Sequence, residues 1–189
     1  MNDDAAREDV LVAADRLYYA RGIQAVGMDE LRTESGVSLK KLYALFPSKE
    51  TIVEQVLRRR NLAWTAGIVA LADQHPDPRG KLLAIYDFLA EWFVEDDFRG
   101  CAFINSFGEL GASAPSVAEA ARAHKSSFQQ YVAGLVLDAG APASLGPQLV
   151  LLAEGAQTTA AILQSPDAAA DARAAAAVLI DAALARVAA

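Results

Sequence analysis

Between Gly36 and Lys49 the chain gathers groups that can bind an anionic polymer. Lys40 and Lys41 are adjacent, Tyr43 follows two residues on, and Lys49 lies eight residues beyond Lys41. Ammonium groups can meet guanine edges or phosphate oxygens, and a phenol can donate to a phosphate. A second constellation lies downstream. Asn105 and Glu109 stand four apart, on one face of a helix. Phe88, Trp92, Phe103, Phe107, His124, Phe128 and Tyr131 supply aromatic walls of the kind that surround small ligands. The same rings would equally fill the core of an alanine-rich bundle.

Catalytic chemistry is absent from the pattern. There is no Ser-His-Asp arrangement, glycine-rich phosphate loop or metal-ligand spacing. The two histidines, His75 and His124, are too few and too far apart for a metal site. Neither an enzyme, a cofactor nor a metal is therefore expected. Cys101, the one cysteine, excludes an internal disulfide, fits a reducing cytoplasm and reads as a small buried thiol.

The elements that must position these groups are helices. Val10, Leu11, Ala14, Leu17 and Tyr18 form an amphipathic stripe, predicting a helix from about Asp4 to Ala20 that stops at Arg21-Gly22. Short helices are expected at 28–35 and 39–46, separated by Gly36, which can take a positive φ, and by Ser38, which can cap the second. Val37 and Leu42 should lock the pair together. Pro47 ends that element, and Ser48 can cap a long helix running from Lys49 to about Leu71. Further helices read at roughly 80–95, 101–111, 116–138, 146–164 and 168–187, with no strand-like alternation. The fold class is all-α, with about nine helices.

The formal charge of −7 argues against nucleic acid until the chain is divided. Residues 1–60 carry ten basic and ten acidic side chains, and residues 61–189 carry seven and fourteen. A neutral head can present a local basic face, whereas the acidic body should avoid phosphates. Arg58-Arg59-Arg60 fans over roughly 200° of a helix, so a solvated or interdomain role suits it better than a phosphate clamp. No apolar run reaches the roughly 18 residues of a membrane span, and the acidic N-terminus is unlike a signal peptide.

The stretch from Gly22 to Glu50 resembles the DNA-binding region of the TetR family of transcriptional regulators. The resemblance rests on Ser35-Gly36-Val37-Ser38-Leu39-Lys40-Lys41 and on Leu42-Tyr43-x-x-Phe46-Pro47-Ser48-Lys49-Glu50. It implies a helix-turn-helix head over residues 1–48 and a ligand-binding and dimerisation domain over 49–189, joined by the helix at 49–74. It also implies DNA contacts from Ser38, Leu39, Lys40, Lys41, Tyr43 and Lys49. Position 41 is often threonine in the family, and positions 44 and 45 are often polar. Lys41, Ala44 and Leu45 depart from that pattern, which leaves the operator sequence undetermined.

The segment Phe98-Arg99-Gly100-Cys101-Ala102-Phe103-Ile104-Asn105 with Glu109-Leu110 resembles a signature of one TetR subgroup. The ligand set expected there is Phe88, Trp92, Phe103, Asn105, Phe107, Glu109, His124, Phe128 and Tyr131. The last two helices carry apolar stripes, Leu149-Leu152-Ala156-Ala160-Leu163 and Ala172-Ala176-Leu179-Ala183, that suit pairing with a second copy. The resulting expectation is a cytoplasmic homodimeric repressor. It would bind a palindromic double-stranded operator and be released by a small, largely apolar effector. The competing expectation is a partner-binding scaffold whose helix-turn-helix no longer binds DNA.

Overall fold

Helix boundaries follow the caps that the sequence offers. The computed structural model describes residues 2–188. Among them are nine helices and no strand: α1 (Asp3–Arg21), α2 (Met28–Ser35), α3 (Leu39–Leu45), α4 (Lys49–Ala72), α5 (Pro78–Phe93), α6 (Ala102–Leu110), α7 (Pro115–Asp138), α8 (Leu145–Leu163) and α9 (Asp167–Ala188). The all-α expectation holds. The side chain of Asn2 accepts from the Ala5 amide at 2.8 Å and so starts α1 a residue earlier than the apolar stripe does. Ser48 Oγ accepts from the Thr51 amide at 3.2 Å at the start of α4. α5 begins at Pro78, two residues before the start expected at about residue 80. Asp77 caps it, and proline at the first helical position loses no hydrogen bond that a helix would have made.

By its internal contacts the chain divides into two units, and no single cut separates them. One comprises Met1–Leu62 with Ala102–Ala123, the other Ala63–Cys101 with His124–Ala189. α6 and the first part of α7 are distant in sequence from α1–α3 and the first part of α4, yet pack with them. Ser116 of α7, for instance, bonds Glu50 of α4.

The core of the first unit is the predicted stripe of α1. Val10, Leu11, Ala14, Leu17 and Tyr18 are all buried, together with Leu31, Val37, Leu42, Leu45, Phe46, Ile52 and Val53. Val37 and Leu42, the expected lock between α2 and α3, are 1% and 0% exposed. Arg59 and Arg60 turn back onto α1, pairing with Glu8 and Asp15, and Arg60 also stacks on the Tyr19 ring at 3.9 Å.

In the second unit α5, α8 and α9 pack on one another. Leu82, Ile85, Tyr86, Leu89, Leu149, Ala153, Ala160, Ala176 and Ile180 lie in its core. Tyr86 donates its hydroxyl to the Leu149 carbonyl at 2.8 Å in that interior. Paired guanidinium–carboxylate contacts, Arg173–Asp87 and Arg79–Asp181, tie α9 to α5. Most of the α8 and α9 stripes expected to meet a second copy are consumed here. Leu149, Ala156, Ala160, Ala172 and Ala176 are at most 7% exposed. Among the residues whose burial is described, the large apolar side chains left outside on these helices are Leu151, Ile162 and Leu163 of α8 and Val178 of α9. The stripes are apolar at helical spacing, but burial within one chain claims most of that face first.

Candidate functional site

The helix-turn-helix is built from three local devices. Gly36 ends α2 in the left-handed region at φ 67°. No heavy atom lies within 4 Å of where its Cβ would stand, so backbone conformation alone calls for glycine. Ser38 then caps α3, its hydroxyl accepting from the Lys41 amide at 3.3 Å. Leu42 and Leu45 face inward, which turns Leu39, Lys40, Tyr43 and Ala44 outward. Leu39 is 36% and Tyr43 49% exposed, a large apolar edge beside a cation on a helix barely two turns long.

The six expected DNA contacts occupy different surroundings. Ser38 is committed to its cap, while Leu39, Lys40 and Tyr43 are on the outer face of α3. Lys41 is half-buried at the margin of that face and is paired with Asp3 at the start of α1. Lys49 opens α4, its ammonium 5.8 Å from the centre of the Tyr18 ring, and burial pulls its pKa below the ordinary lysine value. Glu109 opposes that shift by favouring the charged form. Leu45, one of the departures from the family pattern, is buried in the core.

Glu109 has a role that its spacing from Asn105 did not suggest. Its carboxylate accepts from the Ile23 amide at 3.1 Å and from the Gln24 amide at 2.9 Å, in the turn between α1 and α2. Its carbonyl accepts from the Gln24 side chain at 2.6 Å. Gly22, at φ 88°, makes room for this clasp: a Cβ there would stand 3.0 Å from Glu109 Oε1. The carboxylate is therefore occupied with the backbone that enters the helix-turn-helix. Asn105 and Glu109 do line a cavity with Tyr18 and Ser106, but its volume is about 20 Å³. That holds one water molecule rather than an organic effector. Only the contact across 86 residues reveals the clasp, and no local sequence signal points to it.

The expected ligand set is divided between the units. Phe103, Asn105, Phe107 and Glu109 fall in the first, with Phe103 buried and Phe107 48% exposed. Phe88, Trp92, His124, Phe128 and Tyr131 fall in the second. There Trp64, absent from the expected set, is the hub. Its ring meets Phe88 at 5.8 Å, His124 at 5.1 Å and Phe128 at 5.0 Å, each edge to face. Gly67, one turn along α4, admits Phe88, since a Cβ would stand 2.7 Å from that ring. His124 is 5% exposed, and burial, helped by the neighbouring Lys125 charge, pushes its pKa down to about 4. It is neutral at pH 7 and can serve as a polar spot in an aromatic wall. Trp92 packs edge to face on Phe98 at 5.1 Å instead. Cys101 is buried, as expected, and accepts from Lys125 Nζ at 3.4 Å, while the same ammonium pairs with Glu154.

A further cleft of about 510 Å³ opens in the second unit beside Phe93, Phe98, Ala161 and Gln164. None of the expected ligand residues lines it. Among the described residues, no helix is long and apolar enough to cross a membrane.

Comparison with known proteins bears on this arrangement. Residues 10–56, which hold the helix-turn-helix, match the profile of the bacterial regulatory proteins, tetR family. The HTH-type transcriptional activator FasR of Mycolicibacterium smegmatis is 33% identical over 101 residues, 53% of this chain and 46% of FasR. The match thus spans less than half of that relative's length. SCO4454, a TetR-family transcriptional regulator from Streptomyces coelicolor, superposes with a TM-score of 0.85 at 27% identity, covering 97% of this chain and 96% of that one. The Streptomyces avermitilis regulator sav143 superposes with a TM-score of 0.83 at 28% identity, over 94% and 97% of the two chains. The tetR-family profile thus matches the helix-turn-helix in sequence, and nearly the whole length of the chain is similar in structure to TetR-family transcriptional regulators.

Proposed function

We propose that the chain regulates transcription in the cytoplasm as a homodimer that binds operator DNA through α3 and responds to a small, largely apolar effector. The observation that carries this reading is the outer face of α3. Leu39, Lys40 and Tyr43 are exposed there on a helix held by Gly36 and Ser38, which is the presentation that major-groove reading requires. The family is one of DNA-binding regulators rather than enzymes.

Dimerisation is assigned to the outward side of α8 and α9. Leu151, Gly155, Thr158 and Ile162 recur at helical spacing on α8, and Val178 is exposed on α9. Small residues between large apolar ones let two helices approach closely, and a twofold pairing hides both copies of the patch. The effector is assigned to the second unit, where Trp64, Phe88, Phe128 and neutral His124 supply an apolar wall with one polar group. Coupling of about 1–3 kcal/mol between effector and operator would suffice for regulation. Repression, with release by the effector, is the first reading of the sign. Activation is the second, favoured by the activator name of FasR.

The test is selection of genomic fragments by the purified protein, followed by affinity measurements at several salt concentrations. Enrichment of a palindrome whose binding weakens steeply with salt is the expected result. Loss of that binding in Lys40→Ala, with the dimer intact in sedimentation, would assign it to α3. No enrichment, from protein confirmed to be folded and ligand-free, would overturn the reading in favour of a partner-binding scaffold. A promoter–reporter assay then distinguishes repression from activation.

A further inference from the structure

α3 carries two lysines, and they are not in the same state. Lys40 is exposed on the outer face. The Lys41 ammonium is bonded to the Asp3 carboxylate, the first residue of α1, across 38 positions of sequence. The pair is local to one unit and lies at its surface, with the Lys41 side chain 33% exposed and that of Asp3 75%. Asp4 stands next to Asp3 in the same first turn of α1 and is exposed too, yet the bond goes to Asp3. Lys41 holds the Asp3 carboxyl below its ordinary pKa, mainly through the hydrogen bond and then through its charge.

A carboxylate on a lysine ammonium offers what a DNA phosphate offers: an oxygen acceptor carrying negative charge. Both cannot occupy the same donor position at full strength. We propose that Asp3 is a built-in competitor for the DNA backbone, which holds Lys41 in a paired state that phosphate must displace. The inference rests on the operator-binding reading above. Asp3 thereby lowers affinity for every sequence alike, because the exchange involves phosphate and no base. Discrimination among operators then falls to the outer face of α3, and weak non-specific binding is suppressed.

The magnitude follows from the exposure of the pair. Exposed ion pairs are worth little, so releasing Lys41 should raise affinity by about 2- to 5-fold per head. Two heads on one duplex multiply to about 4- to 25-fold. The salt dependence should change as well. A freed lysine displaces a DNA counterion without leaving an unpaired carboxylate to gather a cation, so the slope steepens by somewhat less than one ion per head.

The experiment uses the full chain and a labelled random-sequence duplex at low salt, with the selected operator alongside. Asp3→Asn, Asp4→Asn, Lys41→Met and Asp3→Asn/Lys41→Met are compared, with helical content checked by circular dichroism. Asp4→Asn measures the general gain from removing one negative charge near DNA. The expected result is a larger gain for Asp3→Asn than for Asp4→Asn, on both duplexes and with a steeper salt slope. In the Lys41→Met background that excess should vanish. Equal gains from the two aspartates, or an excess that survives without Lys41, would overturn the proposal while leaving DNA binding intact. No binding of either duplex by any variant or by the unaltered chain would instead overturn the operator reading, and this inference with it.

Discussion

Replacing Gly22 with alanine tests how the head is held, because two separate costs meet at that position. The first is conformational. Gly22 sits at φ 88° and ψ 152°, a region that residues with a side chain rarely adopt, and the strain should be about 1–2 kcal/mol. The second is steric. The new Cβ would stand 3.0 Å from Glu109 Oε1, 3.2 Å from Oε2 and 3.3 Å from Cδ. The carboxylate must move, and it then gives up the Ile23 and Gln24 amides. Because the site is partly open to solvent, each bond is taken at about 1 kcal/mol, below the range for buried charge-assisted bonds, and the pair at about 2 kcal/mol. Gly22→Ala should therefore cost about 3–4 kcal/mol and Glu109→Ala about 2 kcal/mol. The two are not independent. Once Glu109 is gone nothing is left to clash, so the double variant should cost about 2 kcal/mol less than the sum of the singles. Denaturant unfolding at one fixed protein concentration measures all three, with near-ultraviolet and far-ultraviolet signals compared for coincidence. Strict additivity of the two substitutions would refute the clasp as the reason for glycine at this position.

Gly36→Ala makes a contrasting case. With open space at its Cβ position, only the left-handed backbone should matter, so the same unfolding assay should show a loss of about 1 kcal/mol. Tyr86→Phe removes a buried donor from the Leu149 carbonyl and should cost about 1 kcal/mol, read as a lower unfolding midpoint at unchanged slope. His124 gives a pH dependence of fixed sign. Its folded pKa of about 4 lies below the ordinary histidine value of 6.5, so the unfolded chain binds the extra proton between those limits. Stability should be complete above about pH 6.5 and fall on the order of 2–3 kcal/mol by about pH 4. His124→Gln should flatten that part of the profile, and a curve parallel to the unaltered chain would count against the burial argument. Trp64 and Trp92 are the only tryptophans, so an effector entering the aromatic cluster should change the emission, with the response lost in Trp64→Phe.

Local chemistry determined the helices and their ends. The α1 stripe, the glycine at 36 and the caps at Ser38 and Ser48 act within a few residues, and each appears in the structure as read. The outward set on α3 was equally legible, because burying Leu42 and Leu45 fixes which way a two-turn helix faces. Contacts across long stretches of chain were not legible. Glu109 shares a helical face with Asn105, a spacing that suits a ligand site equally well. Only the approach of α6 to the turn after α1 decided that its carboxylate would serve backbone amides. Trp64 passed for an ordinary position on α4 until Phe88, His124 and Phe128 were brought around it from α5 and α7. Likewise, periodicity revealed the apolar stripes of α8 and α9 but not their partner. Hydrophobic burial has no direction of its own, so the elements available within the chain decide which stripe is covered and which is left exposed.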